Sequence, residues 1–219
     1  MRWMRWNAAH VKRSAIEASN ELTTRPQFLI IGGVNGAGKS TLVGNMDFSR
    51  GQSQLLLNPD DVTKVILRET PIAEAQANFA ALRRISEQVT SFIAHGHTFV
   101  SETVLANHAY IRHAIAAKAA GYEVRLIYVG LPTVEHAIER VADRVSKGGH
   151  DVPEDLIRRR WEPSHRNLGW FAKNVEGVEV FSNTDIKPKL IARARDSVIE
   201  IVDAAELPAV TTVLAPPRA

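Results

Sequence analysis

An apolar run, Phe28-Leu29-Ile30-Ile31, leads into Gly33-Val34-Asn35-Gly36-Ala37-Gly38-Lys39-Ser40, and a helical pattern follows at once. Few arrangements satisfy that order. The glycines let main-chain amides turn inward around an anion, and the following helix points its positive dipole end at the same place. Strand, glycine-rich loop and helix together predict a P-loop, in which Lys39 reaches the β- and γ-phosphates and the Ser40 hydroxyl takes a place on Mg²⁺. Gly33, Asn35, Gly36, Ala37, Gly38, Lys39, Ser40 and Thr41 are therefore the candidate ATP-binding residues, with Lys39 also catalytic and Ser40 the metal ligand.

Further apolar runs at 54–57, 98–101, 124–129 and 178–181 alternate with amphipathic segments of helical length at 39–46, 61–67, 73–94, 108–120, 134–147, 154–174 and 189–204. This alternation predicts an α/β P-loop NTPase fold, a parallel sheet of about five strands flanked by helices, with a helical lid. The 219 residues suit one domain. We expect a helical extension over 1–26, a kinase domain over 27–205 with its lid around 140–160, and a C-terminal tail over 206–219 whose low-complexity end, Ala215-Pro216-Pro217-Arg218-Ala219, is frayed. The absence of cysteine removes disulfides, thiolate zinc sites and cysteine nucleophiles, and fits the cytosol. No apolar stretch approaches the roughly 20 residues that span a bilayer, and Met1 to Trp6 lacks the apolar region of a secretory signal. A cytoplasmic protein with no membrane contact is expected. The formal charge of +3 suits a protein that handles anions, phosphorylated metabolites as well as nucleic acid.

Which P-loop class this is depends on residues elsewhere. No Asn-Lys-x-Asp occurs to read guanine, and no strand ends in the paired Asp-Glu of motor ATPases. Instead the second run ends Leu57-Asn58-Pro59-Asp60-Asp61, setting carboxylates at the carboxyl edge of the sheet, where such folds bind ligands. Asp60 can take the proton from an acceptor hydroxyl, and Asp60 or Asp61 can also cap the helix beginning there. Arg140 and Arg144 share a helix face, Gly148-Gly149 follows as a hinge, and Arg158-Arg159-Arg160 lie on the next helix. Arginines on both sides of a hinge can close over a triphosphate, though arginines are also ordinary surface residues.

Four stretches carry a resemblance: Gly32 to Thr41, Asn58-Pro59-Asp60-Asp61-Val62, Ser101-Glu102-Thr103, and 140–153 with its Gly148-Gly149-His150-Asp151-Val152-Pro153. Together they resemble the zeta toxin family of P-loop kinases over about residues 27–185. The resemblance implies that Asp60 is the catalytic base and that Glu102 and Thr103 hold the acceptor or order water on Mg²⁺. It further implies that Arg140, Arg144 and Arg158 contact ATP from the lid, with the choice among Arg158, Arg159 and Arg160 open. His150 belongs to the lid signature or is a structural hydrogen-bonding group. By the same resemblance the acceptor is a nucleotide sugar such as UDP-N-acetylglucosamine, and a separate antitoxin covers the ATP site. The residues themselves support only transfer to some hydroxyl. Another sugar or nucleotide kinase, a non-catalytic ATP-binding switch and a nucleic-acid-dependent NTPase remain open, with nucleic acid not expected as a partner.

Three weaker signals remain. His95-Gly96-His97 has no third ligand in view and is not expected to bind metal. Phe181 to Thr184 either border the adenine or form a simple loop. Trp3 and Trp6, with Arg2, Arg5, Lys12 and Arg13, either stack on bases or pack on the domain.

Overall fold

The structure, a computed structural model, describes residues 25–44, 55–185 and 188–215. The helix expected before residue 26 and the Trp3–Trp6 cluster lie outside them. β1 (Gln27–Gly33) is apolar on both faces, with Phe28 and Ile30 on one side and Ile31 on the other, all buried. A strand of that kind belongs in the middle of a sheet covered by helices on both sides. It pairs in parallel with β3 (Phe99–Thr103) and β4 (Glu123–Gly130), and β2 (Leu55–Leu57) and β5 (Gly177–Ser182) extend the ladder outward. This is the parallel sheet that the alternation predicts.

Helices α1 (Lys39–Gly44), α2 (Pro59–Glu69), α3 (Glu74–Ala94), α4 (Ala109–Ala119), α5 (Val134–Ser146), α6 (Glu154–Asn174) and α7 (Pro208–Leu214) surround it. On one face Phe28 and Ile30 meet Ile85 and Val89 of α3, Ala114 of α4, and Leu168 and Phe171 of α6. On the other, Ile31 and Ile127 meet Leu42 of α1, Val141 of α5 and Ile157 of α6. α6 thus contributes to both cores, its first turns to one and its last turns to the other. No described helix is long and apolar enough to cross a membrane.

One expectation is corrected. The segment 189–204 is not a helix: it forms β6 (Lys189–Arg195) and β7 (Val198–Ile201), which join the sheet antiparallel and bring it to seven strands. Leu, Ile, Ala and Val in this stretch fit either period, but buried Ala192 and Ala194 alternate with exposed Arg193 and Arg195, and Asp196 and Ser197 take φ of 49° and 67°. Consecutive left-handed residues make the tight turn that matches strand twist, and aspartate tolerates that conformation better than most. Within the expected tail, residues 208–214 form α7, while the stretch 216–219 lies outside the described residues. Leu207, Val210 and Leu214 are buried, and α7 packs so tightly on α6 that a Cβ added to Gly169 would stand 3.0 Å from the Val213 carbonyl oxygen. Burial of that apolar side outweighs the loop-like composition around it.

Candidate active site

The turn after β1 is shaped by neighbours that leave no room for side chains. Gly36 and Gly38 take φ of 72° and 89°, and a Cβ at Gly38 would lie 2.5 Å from the Asn183 amide nitrogen. Asn183 donates to the Ala37 carbonyl at 2.7 Å, tying the turn to the end of β5. Asn35, Gly36, Gly38, Lys39, Ser40 and Thr41 line a cleft of about 1210 Å³, whereas Gly33 and Ala37 stand behind it as support. Lys39 is nearly buried and donates from Nζ to the Val34 carbonyl at 3.0 Å. Burial lowers its pKa, Glu102 and Asp60 raise it, and Arg144 and Arg160 lower it further, so these charges gather around one ammonium group.

The acidic side comes from strand ends. Because Ile31 pairs with Glu102 in register, the β3 tip lies beside the loop. The Ser40 hydroxyl donates to the Glu102 carboxylate, 3.0 Å from Oε1 and 3.1 Å from Oε2. Asn58 donates from Nδ2 to Glu102 Oε2 at 3.1 Å and accepts the Asp60 main-chain N–H on Oδ1 at 2.9 Å. Asn58 therefore caps α2 and joins the two acidic residues. Desolvation by burial raises the Glu102 pKa, opposed by Lys39 and the Ser40 bond. Asp60, Glu102 and Thr103 all line the cleft, as the sequence predicts. The Thr103 hydroxyl accepts the Leu105 N–H at 3.0 Å, which shapes the loop after β3.

The arginines divide differently from expectation. Arg140 and Arg144 line the cleft, Arg140 donating to the Thr184 carbonyl at 3.3 Å and Arg144 to the His150 carbonyl at 2.6 Å. Nε of Arg144 is buried without a hydrogen-bond partner. His150, also on the cleft wall, pairs through Nδ1 with Glu74 at 2.9 Å and so links the lid to the start of α3. Arg158 is the correction: it is exposed, paired with Glu135 at 2.9 Å and Glu154 at 2.8 Å, and lies away from the cleft. Arg160 lines the cleft in its place and feels Asp60. With Ile157 buried, a helical step of three residues carries Arg160 inward, whereas the next position along, Arg158, turns outward.

Sequence reasoning missed Asn58, whose Asn-Pro-Asp setting signals a helix cap, with proline in the first turn, and hides the bond to Glu102. It also missed the structural use of Asn183, in a stretch, 181–184, where bordering the adenine and forming a simple loop were both open; Asn183 and Thr184 line the cleft. His95 and His97 stack with centroids 6.0 Å apart, and no group of three or more potential metal ligands exists among the described residues.

The donor set suits the groups that a kinase requires. A hydroxyl and a carboxylate, Ser40 and Glu102, are hard oxygen donors of the kind Mg²⁺ takes, with its remaining positions left to water and phosphate. The unpartnered Arg144 Nε on a residue lining the cleft, together with the side-chain-free positions Gly36 and Gly38 on the same lining, suits phosphate oxygens.

Comparison with known proteins agrees with this geometry. The zeta toxin family model matches residues 12–197. An uncharacterized protein of Haemophilus influenzae is 30% identical over 130 residues, which cover 59% of this chain and 88% of that one. AvrRxo1-ORF1:-ORF2, solved with ATP, is 15% identical with a TM-score of 0.65, over 93% of this chain and 68% of that one. The PezAT toxin-antitoxin system of Streptococcus pneumoniae is 16% identical with a TM-score of 0.55, over 84% of this chain and 80% of that one. At such identities the structural likeness shows the fold, and the family match joined to the cleft supports an ATP-dependent, kinase-like phosphotransferase. This chain belongs to the zeta toxin family of P-loop kinases.

Proposed function

We propose that this chain transfers the γ-phosphoryl group of ATP, with Mg²⁺, to a hydroxyl of a nucleotide sugar, UDP-N-acetylglucosamine being the acceptor that family membership suggests. The observation that carries the reading is the joining of Ser40, Glu102, Asn58 and Asp60 by hydrogen bonds beside Lys39 in one cleft with Arg144 and Arg160. Glycine-loop amides and Lys39 bind the polyphosphate, and Arg144 and Arg160 oppose the negative charge that spreads over the transferred group. Ser40 and Glu102 would hold Mg²⁺, which supplies charge neutralisation between the β- and γ-phosphates. Asp60 accepts the proton of the acceptor hydroxyl as its oxygen bonds to phosphorus. The bond from phosphorus to the β-phosphate bridging oxygen breaks, and ADP leaves. Glu102 holds Ser40 in place and, with Thr103, bounds the acceptor side.

Phosphorus NMR of the protein with ATP, Mg²⁺ and UDP-N-acetylglucosamine tests this: a new phosphomonoester signal is expected. Consumption of ATP to ADP and inorganic phosphate alone, with every nucleotide sugar unmodified, would overturn the acceptor assignment. Membership of a toxin family also supports a protein partner that covers the ATP end of the cleft. ATP competing with such a partner for this chain is the expected signature.

A further inference from the structure

α6 carries functional and buried polar residues along one side. Arg160 faces the cleft, and Ser164 and Asn167 follow at the i+4 and i+7 positions, the first fully buried and the second 2% exposed. Neither polar side chain reaches the nucleotide loop. Asn167 donates from Nδ2 to the carbonyls of Leu105 and Asn107, at 2.8 and 3.2 Å. Ser164 donates from Oγ to the Val104 carbonyl at 2.6 Å, and so accepts the Tyr128 hydroxyl at 2.9 Å. These carbonyls belong to the loop that leaves β3 directly after Thr103, and that loop forms a wall of the cleft.

The loop needs holding. Leu105 is a left-handed non-glycine residue at φ 62°, a conformation unfavourable for a residue with a Cβ, and it is buried against Gly32 of β1. An apolar helix side would pack as well but would leave the loop carbonyls without partners. Pro163 adds a second feature: it has no N–H to give the Arg159 carbonyl, so α6 bends most easily between Arg160 and Ser164.

We infer that Asn167 and Ser164 are positioning residues that fix the Thr103 to Asn107 wall to α6, on the far side of Pro163 from Arg160. The inference rests on the phosphotransferase reading of the cleft. Its consequence is specific to the acceptor, because the pinned loop continues from Glu102 and Thr103, while the glycine loop is held separately by Asn183.

The test uses the full chain with Asn167→Asp, which keeps the shape but replaces two N–H donors by a carboxyl oxygen, and Ser164→Ala as a milder second variant. UDP-N-acetylglucosamine is the acceptor probe. Its KM is expected to rise by about tenfold to a hundredfold in Asn167→Asp, as loss of buried hydrogen bonds entails, with the KM for ATP unchanged. Amide hydrogen exchange at Val104 to Asn107 should accelerate while β1 and β4 remain protected. Equal rises in both KM values, or accelerated exchange throughout the sheet, would show general loss of fold and overturn the positioning role. Unchanged acceptor KM with a protected loop would overturn it too. If the unaltered protein transfers phosphate to no nucleotide sugar, the acceptor assignment fails separately, and local exchange at Val104 to Asn107 still decides whether α6 holds that wall. Should Asn167→Asp not fold, Ser164→Ala is read by the same measurements.

Discussion

The two ends of the cleft differ in kind. Around the glycine loop stand Lys39, Arg140, Arg144 and Arg160, answered by Asp60 and Glu102. At the far end, between α2, α3 and α4, the walls are Thr63, Asn78, Leu82, Ile85, Ser86 and His113, and the hydrogen bonds are between neutral groups. Thr63 donates to Asn78 Oδ1 at 3.0 Å, and Ser86 pairs with His113 Nε2 at 3.0 Å. Burial, aided by Arg112, lowers the His113 pKa and keeps the ring uncharged near neutral pH. A group seated at the first end gains charge compensation; one seated at the second gains neutral hydrogen bonds and apolar contact. Charged groups of a ligand are favoured at one end, and its uncharged parts at the other.

The strongest way to break that contrast is at the charged end. Asp60→Asn should lower the rate of transfer by about 10²–10⁴-fold, the range of general base catalysis, while ATP affinity by calorimetry stays near its original value. Retained transfer would remove Asp60 from the chemistry.

Next in size is the split between arginines. Arg160→Ala should reduce kcat/KM by about tenfold to a hundredfold, the worth of one hydrogen bond to a charged group. Arg158→Ala should change it little and leave stability nearly unaltered, since the residue and its partners are exposed. Steady-state kinetics of the pair decides it, and the reverse order would show that the lid closes with a different side of α6.

Asn78→Ala sharpens the contrast from the neutral end. Loss of a neutral hydrogen bond is worth about 0.5–1.5 kcal/mol, so the acceptor KM should rise by about threefold to tenfold with ATP affinity unaltered. An equal loss of ATP affinity would merge the two ends into one site.

The smallest effect concerns pH. His113 and His165 both have pKa values lowered by burial, so the unfolded chain binds protons more readily than the native one. Their contribution to stability is complete above the ordinary histidine pKa and is lost as pH falls through it towards the lowered native values. Urea unfolding followed across that interval should show a shallower slope for His113→Gln than for the unaltered protein.

Much of this was legible in the sequence. The glycine loop, the carboxylates after β2 and the parallel core each rest on neighbours in the chain or on a period repeated over a few residues. Asp60 could be placed because a strand end followed by a capped helix has only one edge of the sheet to occupy. Arg158 was chosen over Arg160 because three consecutive arginines carry no sign of which faces inward until a neighbour such as Ile157 is known to be buried.

The sequence alone determined the phosphate loop and the alternation of strands and helices, since glycine freedom, dipole direction and side-chain periodicity are local properties. Tertiary structure decided what depends on contacts between distant segments. It turned 189–201 into a hairpin along β5, buried α7 against α6, joined Asn58 to Glu102, and tied Asn167 to the loop that follows β3. Each outcome follows from satisfying buried polar groups and covering apolar faces, and which partner does so is fixed only when the chain has closed on itself.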